Sequence, residues 1–403
     1  MDALILGQAI SALRKKQGLT QAMLADKLGL SDKTISKWES GRCYPDVTVI
    51  PKLAEIFSVT TDFLLRQKRR GITVMGNLIV DAVKKINGYP KIGYLSNIIS
   101  EKRAVGGAVL NVGIDLATID KDIPVSAIGG VGDDENGRFL ISQLKTSGID
   151  VSGVVIKKNV KTSYTDVMST DTERTFFSYS GANACFSIED VDLDKLCCTI
   201  LHFGYVMLMD AFDKEDAKYG TVLARFLSSV QKMGIKTSVD AVTCKDKLAF
   251  SSKIIPALKY TDYLILNELE ICNAFNLDAY DESSNLREDI VKECMQKALD
   301  LGVSEKVIVH SKTAGYCLSK TGEYNKVNSF EIPKELIKGS VGAGDAFCAG
   351  CLYGLYNGYS DKEILEFASA TAVCNLFEEN SVDGMQSKEE ILKISKKFTR
   401  KNG

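Results

Sequence analysis

The sequence predicts two folds in tandem. A small all-α unit of five helices fills residues 1–66, and an α/β unit with a mostly parallel central sheet and helices on both faces runs over 73–398. Three observations predict this. Residues up to about 65 carry only helical apolar spacing, punctuated by caps. From Gly71 onward, short unbroken apolar runs (SAIGGVG, TILHFGYVML, KTSVDAV, DYLILNE, KVIVHS) alternate with longer amphipathic stretches such as 218–234 and 285–302. Parallel strands covered on both faces read as such continuous runs. Finally, 403 residues at 45% hydrophobic and 25% charged are too many for one ordinary domain and enough for a sizeable core.

In the first unit Leu6, Ile10 and Leu13 share one helix face, and Gly18 ends that helix. Thr20 suits an N-cap for a helix carrying Met23, Leu24 and Leu28, stopped at Gly29. Ser31 caps a third, with Ile35 and Trp38 inward and Gly41 after it. Pro45 and Asp46 are expected to open a fourth helix running through Phe57, and Thr60 or Thr61 a short fifth. The basic stretch 67–72 reads as a linker.

Charge is unevenly spread. Residues 1–70 hold 12 Lys and Arg against 7 Asp and Glu, and the remainder 38 against 45. A basic module on an acidic body points to a polyanion partner for the module alone. No apolar stretch approaches the ~20 residues that span a bilayer. The first helix lacks the basic, apolar, small order of a signal peptide, so a cytoplasmic protein is expected. The eleven cysteines show no repeated spacing, and Cys348–Cys351 has no second pair to complete a zinc site, so free thiols are expected. With only His202 and His310, histidine triads are all but excluded, leaving carboxylates, backbone amides, Lys and Arg for the chemistry.

The strongest chemical signal is GSVGAGDAFCAG at 339–350. Gly342, Ala343 and Gly344 open a helix whose free N–H groups and dipole attract an anion. Asp345 stands in its first turn, where a carboxylate can take a proton from a hydroxyl aimed at a bound phosphate. There is no GxxxxGK[ST], which excludes a P-loop, and the glycines of GGVGDDENG are out of phase for a dinucleotide turn.

Two resemblances follow. LTQAMLADKLGLSDKTISKWESGRCYPD resembles the phage-repressor (XRE) helix-turn-helix family, which implies DNA binding. In that family the third helix lies in the major groove, and Gln21 falls near a phosphate. Lys33, Ser36 and Lys37 share one helix face as candidates for bases or phosphates.

Five ordered segments over about 72–395 resemble the PfkB, or ribokinase-like, carbohydrate kinases: GNLIVDAV, GGAVLN, GGVGDDENG, NELE and the GAGD segment. That resemblance implies a ribokinase-like α/β fold with a small β-lid, use of ATP and Mg²⁺, a sugar substrate and a homodimer. It implies that Asp81 at the end of the first strand, Gly106, Gly107 and Asn111 hold sugar hydroxyls, with Arg174 on the lid as a further substrate contact. Asp345 becomes the general base, with Gly342, Ala343 and Gly344 the anion hole. Asn267, Thr313, Gly315 and Ser369 would lie on the nucleotide side, and Glu270 would organise Mg²⁺, mostly through water. Where the family commonly has Asp before the GAGD segment, this chain has Gly339, which speaks against a K⁺ site. A sugar-sensing regulator that has lost turnover, and a nucleoside kinase, are the alternatives.

Overall fold

The computed structural model of the protein describes residues 3–65, 70–170 and 173–401; residues 67–69 of the expected linker lie outside these. Apart from the short stretch 193–197, the chain divides into two compact units, the second starting at Gly71.

The first unit has the five helices: α1 Ala3–Lys16, α2 Gln21–Leu28, α3 Asp32–Glu39, α4 Ile50–Phe57 and α5 Thr61–Leu65. Thr20 accepts from the Met23 N–H at 3.1 Å and Ser31 from the Thr34 N–H at 3.2 Å, as their positions predict. The fourth helix starts later than expected. The Asp46 carboxylate accepts from the Thr48 N–H (2.8 Å) and hydroxyl (2.6 Å), which winds 47–49 into a tighter turn before α4 begins at Ile50. Leu6, Ile10, Leu24, Ile35, Trp38, Leu53 and Phe57 form the core, so the single tryptophan is a packing residue.

The second unit is built on a nine-stranded sheet: β1 Ile72–Gly76, β4 Val125–Gly132, β5 Asp150–Lys157, β8 Ile200–Val206, β11 Lys236–Ala241, β12 Tyr263–Asn267, β13 Lys306–His310, β14 Ala314–Ser319 and β15 Tyr324–Asn328. Its order is β15-β14-β13-β12-β11-β8-β1-β4-β5, parallel except for β14 and β15, which run antiparallel to their neighbours. A second sheet has the order β3-β2-β6-β7, with β2 Ile79–Ile86, β3 Ile98–Gly106, β6 Tyr164–Ser169 and β7 Arg174–Tyr179. β9 Glu215–Asp216 and β10 Gly220–Thr221 form a small ribbon.

The helices are α6 Ala108–Ile119, α7 Glu135–Thr146, α8 Gly181–Cys185, α9 Val222–Lys232, α10 Lys247–Leu258, α11 Glu268–Ala274, α12 Glu288–Asp300, α13 Ala343–Tyr356, α14 Asp361–Leu376 and α15 Lys388–Lys397. The small sheet is the expected lid, and it has four strands. Asp81 belongs to β2 in this lid, not to the end of β1. The unit also begins and ends outside 73–398: β1 starts at Ile72, and the Lys401 N–H donates to the Ser329 carbonyl at 2.8 Å.

Candidate active site

α13 begins after Gly342, whose φ of 78° lies in the left-handed region and leaves no room for a side chain against Ser381. Its first turn carries Asp345, buried, with both carboxylate oxygens engaged. Asn111 Nδ2 donates to Oδ2 at 2.9 Å, and the Tyr205 hydroxyl donates to Oδ1. Ser381 donates to Asn111 Oδ1 at 2.7 Å, which fixes the amide with its N–H₂ toward the acid. Burial raises the Asp345 carboxyl above the usual range, against the pull of the bonds from Tyr205 and Asn111. A carboxyl tuned upward in this way is a better base near neutral pH.

Asn111 lies on α6, which is preceded by the cap residue Gly107 (φ 87°), whose backbone is pressed against Asn77. A Cβ at Gly106 would run into the Asp81 carboxylate, so Asp81, Gly106 and Gly107 sit together as expected. Burial pushes the Asp81 carboxyl up to about 6. Arg174 is not brought to this group. It is exposed and pairs with Ser169, whereas the position aligned with Asp81 through Thr165 is Ser178. The two positions are four residue steps apart, about 13 Å along β7.

On the other side of α13 lies a cavity of about 540 Å³ lined by Ala343, Gly344, Asn267, Gly315, Ser369 and Lys401 among others. Thr313 is exposed in the β13–β14 turn between two lining residues, its hydroxyl 3.0 Å from that of Ser311. The Ser369 hydroxyl is spent on the Leu365 carbonyl at 2.7 Å, so it contributes wall rather than a free donor. Asn267 caps α11, accepting from the Glu270 N–H at 2.8 Å, while Glu270 Oε2 accepts from the Asn267 N–H at 2.9 Å. Glu270 Oε1 also accepts from Asn267 Nδ2 (2.7 Å) and Thr243 (2.8 Å). Burial raises Glu270 to about 7.

Residues 71–388 match the sequence profile described as pfkB family carbohydrate kinase. The chain belongs to that family. Residues 10–64 match a helix-turn-helix profile. Over 316 residues the kinase is 27% identical to a 5-dehydro-2-deoxygluconokinase of Clostridium perfringens, covering 77% of this chain and 89% of the relative. Its fold is similar to that of ribokinase from Thermotoga maritima (TM-score 0.65, 20% identity, 81% of this chain and 99% of that one). It is equally similar to Arabidopsis thaliana ribokinase complexed with ribose and ATP (TM-score 0.65, 20% identity, 81% and 98%).

Sequence reasoning passed over several of the kinase's residues. Tyr205, half-buried in a run read only as a strand, bonds Asp345 across 140 positions. Asp240, at the end of β11, is buried near Asp345 and Glu270, and burial first and then those two neighbours raise it well above the usual range. Asp115 on α6 is fully buried, and neither carboxylate oxygen has a hydrogen-bond partner. Among the expected DNA contacts, Lys33, Ser36 and Lys37 are exposed on α3. Gln21 is turned inward, donating to Glu39 Oε2 at 2.8 Å in a network with Arg14 and Ser11. Among the described residues no helix is long and apolar enough to cross a membrane, and all eleven cysteines are free.

Proposed function

We propose that this carbohydrate kinase moves the γ-phosphoryl group of ATP onto a hydroxyl of a sugar or sugar acid, with Asp345 as the base. One observation carries the reading. Asp345 stands where two separately predicted groups meet: it is held by Asn111 from the Gly106–Gly107–Asp81 side, and it adjoins the Ala343–Gly344 wall of the cavity. A sugar on the first side would present its hydroxyl to the acid; a nucleotide in the cavity would end at the N–H groups that open α13.

The cavity suits a nucleotide, with the apolar side chains of Phe330, Ile332, Phe347 and Leu376 along one stretch and the helix start at another. ATP supplies the phosphoryl group when bound. Asp345 takes the hydroxyl proton at a carboxylate oxygen, and Tyr205 and Asn111 keep that carboxylate aimed. Because Glu270 is already bonded through both oxygens, it fits Mg²⁺ held through water rather than directly. Asp81 accepts sugar hydroxyls, and turnover needs little K⁺ because Gly339 brings no carboxylate.

A coupled assay of ATP turnover over pentoses, hexoses, deoxy keto sugar acids and nucleosides tests this. Turnover with a sugar or sugar acid, lost in Asp345→Asn, is expected. Sugar binding with no turnover on any substrate would instead make the unit a sensor. The 27% identity to a 5-dehydro-2-deoxygluconokinase puts keto sugar acids first in the panel.

The first unit is proposed to bind DNA in a regulatory role, which the exposed face of Lys33, Ser36 and Lys37 supports. Lys33→Ala and Lys37→Ala should each lower the salt slope of binding by about one. A cytoplasmic homodimer completes the reading; Phe176, Phe177 and Tyr179, exposed on the lid, support a second copy as partner.

A further inference from the structure

Below the catalytic aspartate lies a group of side chains that the phosphoryl-transfer reading does not use. His202 from β8, Asp240 from β11 and Cys348 from α13 converge, with 0%, 8% and 1% of their surface exposed. Their nitrogen, oxygen and sulfur ligand atoms all lie within 4.8 Å of one another. His202 Nε2 faces Cys348 Sγ at 3.6 Å. Two ligands on a tetrahedral zinc, with bonds of about 2.1 Å to nitrogen and 2.3 Å to sulfur, stand roughly that far apart.

The surroundings fit a cation as well. The other ring nitrogen, Nδ1, is 3.0 Å from the Ser238 hydroxyl on the neighbouring strand. A hydroxyl there can accept the Nδ1–H of the tautomer whose Nε2 is free to ligate. Asp240 accepts a bond of 2.7 Å from the Ala241 N–H, while the nearby charges of Glu270 and Asp345 have its own sign. A dication would offset that crowding, and Cys348 would bind as the thiolate, releasing its proton to solvent.

Hard Mg²⁺ prefers an all-oxygen set, whereas imidazole with thiolate and one carboxylate selects a softer ion of the zinc class. Cys348 is one turn beyond Asp345 on α13, so an ion on its sulfur would lie close to that acid.

We propose that His202, Asp240 and Cys348 form a binding site for a zinc-class divalent cation, separate from the magnesium of the reaction, and that filling it inhibits the kinase by drawing on the charge of Asp345. The inhibitory half rests on Asp345 being the base; the binding half does not, so binding is read by a spectrum as well as by activity.

The full-length protein, freed of metal with a chelator, is titrated with Co²⁺. One equivalent should produce thiolate-to-cobalt absorption in the near ultraviolet and the intense visible bands of tetrahedral coordination. Both should persist in Cys351→Ala, which removes a buried thiol on the same helix outside the group, and vanish in Cys348→Ala. Asp240→Asn reports the same loss should Cys348→Ala fail to fold. With Mg²⁺ in excess, micromolar Zn²⁺ should slow the wild type and Cys351→Ala at least tenfold and leave Cys348→Ala unaffected. A cobalt spectrum unchanged in Cys348→Ala, or absent in the wild type, overturns the site, leaving His202 and Cys348 as a hydrogen-bonded core pair. Equal Zn²⁺ inhibition of wild type and Cys348→Ala overturns the inhibitory role.

Discussion

One carboxylate in each unit, Glu39 and Asp345, is hydrogen-bonded on both oxygens, and the two lie in opposite electrostatic states. Glu39 in the helical unit is gripped by Arg14 (Nε to Oε1 2.5 Å, Nη2 to Oε2 2.9 Å), with Gln21 and Ser11 adding bonds. Burial alone would raise it, but those bonds outweigh burial and hold Glu39 below its ordinary value. Asp345 in the kinase unit receives bonds only from the neutral donors Asn111 and Tyr205, and burial wins. A carboxylate paired with a cation is fixed as an anion and serves structure. One held by neutral donors alone stays close to taking a proton, as a base must.

The largest effect is expected at the unpaired acid. Asp345→Asn keeps the shape and the bond geometry but removes the base, so kcat should fall by about 10²-fold or more with sugar affinity nearly unchanged. Steady-state kinetics beside calorimetric sugar binding checks this; normal turnover would remove Asp345 from the chemistry. The paired acid should behave differently. Glu39→Gln leaves Arg14 buried without its anion and should cost the helical unit about 3 kcal/mol, seen as a lower melting transition for that unit with kcat of the kinase unaltered. Unchanged melting would mean that the pair contributes nothing net.

Tyr205→Phe acts on the contrast from within the site, as a test of positioning. Losing one bond to the carboxylate, worth about 1.5 kcal/mol, should lower kcat about tenfold. The Tyr205 bond pulls the Asp345 carboxyl down, so its removal must move the acid limb of the kcat profile to higher pH. A drop in kcat with an unmoved limb would indicate a packing role only.

These contrasts were unevenly legible in the sequence. The start of α13 and the caps at Thr20 and Ser31 could be read directly, because each depends on residues within four positions of one another. The continuous apolar runs gave the buried strands for the same local reason. The lid was read only in part: β3, IISEKRAVG, is mostly exposed and polar, so it carries no apolar run to see. Tyr205 and Ser381 were invisible, since their bonds to Asp345 and Asn111 close over 140 and 270 positions. The motif positions Gln21 and Ser369 were found, but motif position does not reveal that a neighbour has already taken the polar group.

The smallest expected effect separates the two units by pH alone. Burial raises the Asp81 carboxyl to about 6, so below that value its protonated form becomes the main one in the free kinase. Only the carboxylate has acceptor sites free on both oxygens for sugar hydroxyls. Protonation therefore competes with sugar: the apparent KM should roughly double between pH 8 and pH 6, rise about fivefold more by pH 5, and approach about tenfold for each unit of acid below that. The sign follows from the upward shift; had Asp81 been paired as Glu39 is, KM would stay level across that range. Glu39 itself, held below its ordinary value, stays ionised from pH 8 to 6, so melting of the helical unit should show no step there that is due to this group. Measuring sugar KM and helical melting on the same samples gives both answers. A KM that stays flat to pH 5 would show that Asp81 either lies outside the sugar site or keeps an ordinary carboxyl in solution, and Asp81→Asn decides which: a KM unaffected by that change places it outside.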